Sequence, residues 1–464
     1  MKQAFRKHFV YLIFIVLLFL SGWILAFPPN IIDKNQLITL IIGILAIGLW
    51  ATGIIPEHIT ALLFFSASML LSIAQPEAIF SGFSSSAFWL VFAGLIIGIA
   101  IKNTGLGKHI ATLLVTHLEA NYLRLISGVV AIGVLFSFLM PSAMARMVLL
   151  IPIILLIASH FGFQPGSNGR TGIVLAAAMG AFFPAFSILP ANVANMVLSG
   201  MFESQFNQSL LYGEYLLLHF PILGFLKALV IIGLIIWLYP DRIKESDDSE
   251  LNNQKAWTKS EYLLALLLGM ALLLWMSDFI HHISPAWIAL VVAIIILFPK
   301  VAIVSTTEFN QQINYASLFF VAGIIGFGVV IAQSGLGEVL AKELLNRFPL
   351  NPEAPFINYM LLNLVAILTA IATTSPSVPA VLTPLAEPLS QATGLPLKTV
   401  IMTQVIGYST TIFPYQTAPI LIAMNLAGEK LTTAVKFSAI LAIFTIFVLL
   451  PVNYLWWQFL GKFN

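Results

Sequence analysis

The chain contains the stretch Phe88-Trp89-Leu90-Val91-Phe92-Ala93-Gly94, which runs on to Thr104-Gly105-Leu106-Gly107. Both pieces return in the second half as Leu318-Phe319-Phe320-Val321-Ala322-Gly323 and Ser334-Gly335-Leu336-Gly337. Phe183-Pro184-Ala185-Phe186-Ser187 likewise returns as Phe413-Pro414-Tyr415-Gln416-Thr417. Gly335 follows Gly105 by 230 positions, and Thr417 follows Ser187 by the same interval. An apolar chain with two copies of one unit, each interrupted by Gly and Pro at matching places, is typical of secondary transporters.

The composition places most of the chain in lipid. Of its 464 residues, 59% are hydrophobic and 9% are charged, whereas soluble domains carry about 25% charged residues. A net charge of +2 is too small and too scattered to indicate a nucleic-acid surface. The absence of cysteine excludes structural disulfides and thiolate metal sites. HExxH, Walker and GxSxG motifs are missing, so we predict that the protein is not an enzyme.

The apolar runs predict an all-α membrane protein built from two repeats. A crossing needs about 20 residues, and the run 8–27 lacks the cleavage site of a secretory signal, so it is predicted to be a retained first helix. The predicted domains are an N-terminal transmembrane segment 1–35, a first repeat 36–240 with a hairpin at 124–160 and a broken helix at 171–200, a cytoplasmic linker 241–259, and a second repeat 260–464 with a hairpin at 355–394 and a broken helix at 397–425.

The segment 124–160 is either two full crossings or one re-entrant hairpin. Its arms on either side of Pro141 have about 16 residues each, which is short for a crossing. Non-helical backbone at membrane depth is tolerated only inside protein or beside water. We therefore predict that this segment and its counterpart 355–394 each enter and leave the membrane by the same face.

The basic residues favour one orientation. With the N-terminus in the cytoplasm and both hairpins re-entrant, the linker with Arg242, Lys244, Lys255 and Lys259 lies inside, in agreement with the positive-inside rule. An odd number of crossings then separates equivalent elements, so the two repeats are predicted to have opposite orientations. The predicted location is a bacterial cytoplasmic membrane.

Polar side chains cluster at the four interruptions. Proline frees the carbonyl one turn before it, and half-helix starts present N–H groups that favour anions. For any single hydroxyl the alternative is a bond back to its own helix. Because the clusters recur at matching places, we predict that together they form the binding site. They comprise Ser142 in the first hairpin, Thr373, Thr374, Ser375 and Ser377 in the second, Ser187, Asn192 and Asn195 in the first broken helix, and Thr410, Thr411, Gln416 and Thr417 in the second.

Two basic residues lie within predicted membrane segments. Arg146 follows Pro141 in a nearly uncharged stretch, and a charge at membrane depth costs at least about 2.5–3.5 kcal/mol, so an anionic partner is expected. Arg146 either neutralises an anionic substrate at the hairpin tip or pairs structurally with backbone carbonyls. Lys227 is expected to extend its ammonium group to the membrane surface. No carboxylate is placed at the membrane centre, so a carboxylate proton relay has little support.

The chain resembles the divalent anion:sodium symporter family, also called solute carrier family 13. The similarity is carried by Pro56-Glu57-His58-Ile59-Thr60-Ala61-Leu62, Ser81-Gly82-Phe83, the segment 89–107, and Phe413-Pro414-Tyr415-Gln416-Thr417-Ala418-Pro419. The resemblance implies eleven membrane helices and two re-entrant hairpins in a homodimer, with a transport part that moves like an elevator. It also implies di- and tricarboxylates or sulfate as substrates, usually with sodium.

The family's Ser-Asn-Thr binding motif is altered at both hairpin tips. It falls on Ser142-Ala143-Met144 and on Thr374-Ser375-Pro376 or one residue later, so neither copy keeps the asparagine. Hydroxyls and Arg146 are expected to substitute for it. The predicted substrate-binding residues are Ser142, Ala143, Arg146, Thr374, Ser375, Ser377, Thr417, Ala418 and Pro419, and the predicted coupling-ion residues are Ser142, Ser187, Asn192, Thr373, Thr374 and Thr417.

The sequence therefore predicts a secondary transporter of small anions, dicarboxylate ahead of sulfate, coupled to sodium and with no other cofactor. Proton symport and sodium-independent anion exchange are alternatives, as is a membrane sensor or scaffold that keeps the fold but has lost transport. The predicted partners are the anionic substrate, membrane lipid and a second copy of the chain, and no nucleic acid.

Overall fold

The computed structural model describes residues 15–29, 31–115, 121–243, 256–347, 350–413, 416 and 418–463. These residues form helices and connecting turns, with no strand among them. In the first half the helices are α1 (Ile15–Ala26), α2 (Lys34–Thr52), α3 (Glu57–Leu70), α4 (Pro76–Ile79), α5 (Ser81–Ser84), α6 (Ser86–Thr104), α7 (Leu106–Val115), α8 (Tyr122–Leu139), α9 (Ala143–His160), α10 (Asn168–Phe182), α11 (Val193–Phe206), α12 (Tyr212–His219) and α13 (Lys227–Leu238).

The second half continues in the same way. A π-helical segment, Phe220–Leu226, joins α12 to α13, and another, Thr445–Leu449, joins the last two helices. The helices are α14 (Lys259–Met276), α15 (Asp278–His281), α16 (Pro285–Leu297), α17 (Thr306–Gln312), α18 (Tyr315–Gln333), α19 (Leu336–Arg347), α20 (Pro355–Ala372), α21 (Ser377–Leu382), α22 (Ala386–Thr393), α23 (Leu397–Ser409), α24 (Ala418–Ala427), α25 (Leu431–Phe444) and α26 (Leu450–Phe459).

The helix lengths agree with the predicted membrane class. Within the described ranges, ten helices are long and apolar enough to cross a membrane, and four further apolar helices are shorter. Three of the long ones, α8, α9 and α20, belong to the predicted hairpins. The described helices agree with a multi-pass membrane protein, and the number of eleven crossings stays a prediction.

The repeated glycine motif folds in the same way in both copies. Gly105 ends α6 with φ +80°, and Gly335 follows α18 with φ +72°, a left-handed conformation that glycine adopts without the steric cost of a Cβ. The next glycine packs on the hairpin of its own repeat. A Cβ on Gly107 would lie 2.4 Å from Leu149, and one on Gly337 would lie 2.8 Å from the Pro384 carbonyl oxygen. The sequence repeat is therefore a structural repeat at these turns.

The first hairpin segment consists of α8 and α9 joined at residues 140–142, which we name the first tip. Ser142 caps the start of α9, because its hydroxyl accepts the Ala145 N–H at 3.3 Å. This is an N-cap bond, which favours the start of a helix at this position. The far ends of the two arms also meet, since the rings of Tyr122 and Phe163 lie 5.8 Å apart. The chain thus enters and leaves this segment on one side.

The second hairpin segment consists of α20 and the pair α21–α22, joined at residues 373–376, which we name the second tip. Its far ends meet as well, because the Asn358 amide donates to the Thr393 carbonyl oxygen at 3.1 Å. Both segments thus have the antiparallel arrangement that a hairpin requires.

The two broken helices are interrupted where the sequence places proline. Two short 3₁₀ turns, Pro184–Ser187 and Leu189–Ala191, separate α10 from α11. We name residues 183–192 the first break and residues 410–417, between α23 and α24, the second break. Each break interrupts hydrogen bonding along a helix and leaves helix ends in the middle of the bundle.

Each hairpin crosses the broken helix of its own repeat at a glycine. A Cβ on Gly133 of α8 would lie 2.6 Å from the backbone nitrogen of Ala181 on α10. A Cβ on Gly407 of α23 would lie 2.2 Å from the Cβ of Ala366 on α20. Small residues allow helices to approach this closely in a membrane, and these crossings hold the tips against the breaks.

The connecting loops lie on two sides of the bundle. On one side Asn103 donates to Glu308 at 2.8 Å, and we name this side the Glu308 face. On the other side Lys398 and Lys462 both pair with Glu214, and we name it the Glu214 face. The continuous helix from α12 to α13 starts at the Glu214 face and carries the chain across the bundle.

Candidate anion-binding site between the hairpin tips

A cavity of about 360 Å³ lies between the two tips and the two breaks. We name it the tip cavity. Elements from both repeats form its walls, so it occupies the place where the two copies meet. Its polar lining residues are Glu57, Ser142, Asn192, Asn314, Ser317, Thr374, Ser375 and Gln416.

The tip cavity brings together most of the residues predicted from the sequence. Four predicted residues do not line the cavity: Arg146, Ser187 and Thr373 donate to backbone carbonyls, and the Ser377 hydroxyl pairs with that of Thr374. Thr417 lies outside the described residues. The predicted residues that line the cavity are Ser142, Ala143, Asn192, Thr374, Ser375, Ala418 and Pro419.

Arg146 does not face the tip cavity. Its side chain is fully buried, and its guanidinium donates to the carbonyl oxygens of Met140, Ala181 at 3.2 Å and Ala191 at 2.9 Å. No carboxylate of the described residues pairs with it. Of the two alternatives drawn from the sequence, the structure shows the pairing with backbone carbonyls, which are supplied by the first tip, the end of α10 and the first break.

The second tip presents one hydroxyl to the cavity. The Ser375 side chain is buried, and its Oγ has no hydrogen-bond partner within the described part of the chain. Its neighbours are already engaged: Thr373 donates to the Thr369 carbonyl at 2.7 Å, and the hydroxyls of Thr374 and Ser377 lie 2.9 Å apart. Burying an unsatisfied hydroxyl is costly, so a ligand atom at this position would relieve that cost.

The first break is held by asparagine amides. Asn195 donates to the carbonyls of Phe186 at 3.1 Å and Ile188 at 2.9 Å. Its carbonyl oxygen accepts the Tyr408 hydroxyl at 3.0 Å, which connects the two broken helices. Asn192 caps α11 by accepting the Asn195 N–H at 3.1 Å. Asn192 therefore reaches the cavity, while Asn195 shapes the backbone behind it.

The second break is held by Gln416. Its side-chain oxygen accepts the N–H groups of Ile412 at 2.9 Å and Phe413 at 2.7 Å. Its side-chain nitrogen donates to the Ala370 carbonyl of α20 at 2.9 Å. One amide thus fixes the second break to the second hairpin, and it also forms part of the cavity wall.

Helix N-termini converge on the cavity. The lining includes Ala143 at the start of α9, Val193 at the start of α11 and Ala418 at the start of α24. The first turn of a helix carries unpaired N–H groups and a partial positive charge. The cavity is therefore suited to an anion without a basic side chain in its wall.

Sequence reasoning missed three lining residues, Glu57, Asn314 and Ser317. Hydropathy placed Glu57 at the end of a span, which is correct for its depth along α3. It gave no information on the direction in which the side chain faces. The matched positions of the two repeats held a signal for Asn314 that was not used, because Asn314 corresponds to Ser84 in the polar run Ser84-Ser85-Ser86. Both turns cap the helix that follows, with Ser85 at α6 and Asn314 at α18.

Lys227 is buried, which corrects the expectation that it extends to the membrane surface. Its side chain has no exposed area. The Nζ donates to the Ser409 carbonyl oxygen at 3.1 Å and lies 4.9 Å from the centre of the Phe183 ring. Lys227 therefore contacts the end of α23 and the start of the first break.

A second cavity of about 540 Å³ adjoins the first and shares Ser142, Met144 and Asn314 with it. Lys102 and Lys108 line this second cavity, which extends toward the Glu308 face. The Lys102 ammonium lies 3.5 Å from the side-chain oxygen of Gln312. Two lysines beside a low-dielectric channel attract anions to it.

Comparison with known proteins identifies the family of this chain. The model of the sodium:sulfate symporter transmembrane region matches residues 6–463. The chain belongs to this family. The L-tartrate/succinate antiporter of Escherichia coli is 27% identical over 364 residues, which cover 73% of this chain and 72% of that one. The inner membrane protein YbhI of Escherichia coli is 23% identical over 474 residues, 97% of this chain and 98% of that one.

The crystal structure of the YdaH transporter of Alcanivorax borkumensis has a similar fold, with a TM-score of 0.58 at 16% identity. The match covers 93% of this chain and all of that one. The resemblance to the divalent anion:sodium symporters inferred from the sequence is thereby confirmed. Family and relatives indicate a multi-pass secondary transporter of small carboxylate or sulfate anions.

Proposed function

We propose that the chain moves small dianions, dicarboxylates ahead of sulfate, across a bacterial cytoplasmic membrane by alternating access. The observation that carries this proposal is the convergence of the starts of α9, α11 and α24 with both tips on one cavity. Helix N-termini favour carboxylate and sulfate oxygens. The family and the tartrate/succinate antiporter support the same class of substrate.

The presence of two tips in one cavity favours a substrate with two anionic groups. The first tip offers the capped start of α9 beside Ser142, and the second offers the Ser375 hydroxyl. A dicarboxylate has one carboxylate for each tip, whereas sulfate carries both of its charges on a single centre. The cavity of about 360 Å³ also lies within the usual range of small-molecule sites.

We propose an elevator movement for the transport step. The hairpins and broken helices pack on each other, as α10 does on α8 and α9, and α20 on α23, whereas α3 packs on α18 and α6 on α16. The hairpins and broken helices would form the moving body, and α3, α6, α16 and α18 would form the scaffold. The two inverted repeats would contribute equally to each. The N-terminus is proposed to be cytoplasmic, which makes the Glu308 face the inner one, and two copies of the chain would join through their scaffolds.

Three modes of coupling are candidates. Sodium symport follows from the family's description, and exchange of anions follows from the antiporter relatives. Proton symport is favoured by one observation, the carboxylate of Glu57 in the wall of the tip cavity. A carboxylate beside an anion site would have to be neutralised when the anion binds, and a proton would do so.

Uptake into proteoliposomes tests the proposal. We expect labelled succinate to enter saturably and to be competed by tartrate and, less strongly, by sulfate. Parallel samples with an inward sodium gradient, an inward proton gradient or internal succinate separate the three coupling modes. Tight succinate binding without flux would favour the sensor or scaffold, and the absence of both binding and flux for every anion would refute the proposal.

A further inference from the structure

The second cavity, of about 540 Å³, lies between the first hairpin and helix α6. One of its walls is a row of apolar side chains spaced four residues apart along α9, so that they share one face of the helix. This row comprises Met144, Val148, Pro152 and Leu156, and we name it the α9 stripe. All four residues are exposed, Val148 by 52% and Leu156 by 57%. A continuous exposed apolar face of this kind marks a binding or membrane-contact surface.

Helix α6 forms the opposite wall of the second cavity. It contributes Leu95, Gly98 and Ile99. A Cβ built on Gly98 would meet nothing within 4 Å, so open space lies in front of this helix. The cavity is therefore an apolar groove between two membrane helices. A hydrocarbon chain covers such walls favourably, because it removes apolar surface from water.

Two lysines lie where the groove reaches the Glu308 face. Lys102 is in the last turn of α6, and Lys108 is in the first turn of α7. The end of a helix long enough to cross the membrane lies at the depth of the lipid headgroups. Basic residues at the rim of a groove between membrane helices are typical of sites for anionic headgroups.

The ammonium group of Lys102 is available to a ligand. It lies 3.5 Å from the side-chain oxygen of Gln312, and no carboxylate in the described part of the chain forms an ion pair with it. The nearby carboxylate of Glu308 accepts instead from the Asn103 amide at 2.8 Å. The two lysines of the Glu214 face, by contrast, both pair with a carboxylate. The groove therefore offers positive charge to a lipid phosphate where the other face does not.

We propose that the second cavity binds an anionic phospholipid of the membrane leaflet at the Glu308 face. Its phosphate lies at Lys102 and Lys108, and one acyl chain lies along the α9 stripe. The lipid contacts the first hairpin on one side and α6 on the other. A ligand that binds one conformation shifts the population toward it. Under the proposed elevator movement, on which this last step rests, the hairpin has to pass α6, so the bound lipid slows transport.

Protection of a cysteine from alkylation tests the site. The chain has no cysteine of its own, so Val148→Cys provides a single thiol within the α9 stripe. The variant is placed in nanodiscs of phosphatidylcholine with increasing fractions of phosphatidylglycerol and treated with N-ethylmaleimide. We expect phosphatidylglycerol to slow the labelling, because the thiolate that reacts does not form where an acyl chain excludes water. Ser159→Cys, on the same helix and outside the cavity, is the control and should be labelled at one rate throughout.

Substitution of Lys102 tests the headgroup contact. Since a basic residue beside anionic lipid strengthens binding about fivefold, Lys102→Ala should need about five times more phosphatidylglycerol for half-protection of Val148→Cys. Lys102→Arg, which keeps the charge, should restore the original curve. Lys430→Ala removes an exposed lysine that lines neither cavity, and it should leave the curve unchanged.

Three labelling results would overturn the inference. They are equal labelling rates of Val148→Cys in both lipids, a curve that Lys102→Ala does not shift, and an equal shift in Lys102→Ala and Lys430→Ala. The last result would show general attraction of anionic lipid to the protein surface. These arms need no transport, so they decide on the lipid site even if no anion is transported and the proposed function fails.

Uptake of succinate tests the effect of the lipid on transport. Proteoliposomes that contain phosphatidylglycerol should take up succinate more slowly than those of phosphatidylcholine alone, and this loss should disappear in Lys102→Ala. The comparison is made between the two lipids within each variant, so a change in the basal rate of a variant does not affect it. Wild-type uptake that phosphatidylglycerol leaves unchanged or accelerates would overturn the assignment of the lipid as an inhibitor.

Discussion

At the scale of single residues, Arg146 and Lys227 are buried basic side chains that have no acidic partner in the described part of the chain. Both are fully buried, and the acceptors are carbonyls released where helices end. A charge on an intact membrane helix would find no such carbonyls, because each is bonded within the helix. The breaks therefore create the places that these two side chains occupy.

A substitution of Ser375 should change substrate binding without changing the stability of the protein. Its hydroxyl has no partner among the described residues, and hydrogen bonds to charged groups contribute about 1.5–3 kcal/mol. We expect Ser375→Ala to raise the KM for succinate about tenfold or more and to leave the unfolding temperature unchanged. Initial uptake rates over a range of succinate concentrations measure the first effect.

Thr373→Val is the matched control for Ser375. The Thr373 hydroxyl bonds to the Thr369 carbonyl and does not line the cavity, so its loss should leave KM unchanged. An unchanged KM in Ser375→Ala, or an equal rise in both variants, would contradict the assignment of Ser375 to the substrate.

At the scale of elements, the sequence predicted the breaks well and their surroundings poorly. Proline at 141, 184, 190 and 376 marked the interruptions, because proline removes a helix hydrogen bond and clashes with the preceding turn, and helices end near these positions. Proline alone was not sufficient, since α9 continues through Pro152. The π-helical segments Phe220–Leu226 and Thr445–Leu449 were not predicted, since hydropathy does not distinguish them from α-helix.

The direction in which a side chain faces was the main missing information. The apolar membrane segments give almost no amphipathic pattern, so depth can be read from the chain but rotation about the helix axis cannot. This is why Glu57 was not assigned to the cavity, Lys227 was placed at the surface, and the partner of Arg146, substrate or backbone carbonyls, stayed open. The two repeats were informative because polar clusters recurred at matching places in both copies, which indicated that the tips and the breaks form the site.

The first tip rests on α6 at Gly94, and this contact predicts a mutational effect. A Cβ there would lie 2.8 Å from the Cβ of Pro141, and overpacking costs about 1–3 kcal/mol. We expect Gly94→Ala to displace the tip and to lower the initial uptake rate about tenfold. Gly98→Ala on the same helix is the control, because a Cβ at Gly98 meets nothing within 4 Å. Equal rates for the two variants would show that the contact does not matter for transport.

At the scale of the whole molecule, the duplicated unit encloses one cavity with two unequal tips. The first tip contributes Ser142 and the start of α9, and the second contributes Thr374 and Ser375. Neither contains the asparagine of the family's motif, and under the proposed function helix N-termini and hydroxyls would form the anion site. Arg146 and Lys227 are set back at the breaks, where they donate to backbone carbonyls and do not line the cavity.

A structure determined with bound succinate tests this account most directly. The account predicts density for succinate in the tip cavity, with one carboxylate beside Ser142 at the start of α9 and the other beside Ser375, and with Lys227 still bonded to Ser409. Succinate bound elsewhere, for example at the Glu214 face beside Lys398, would contradict it.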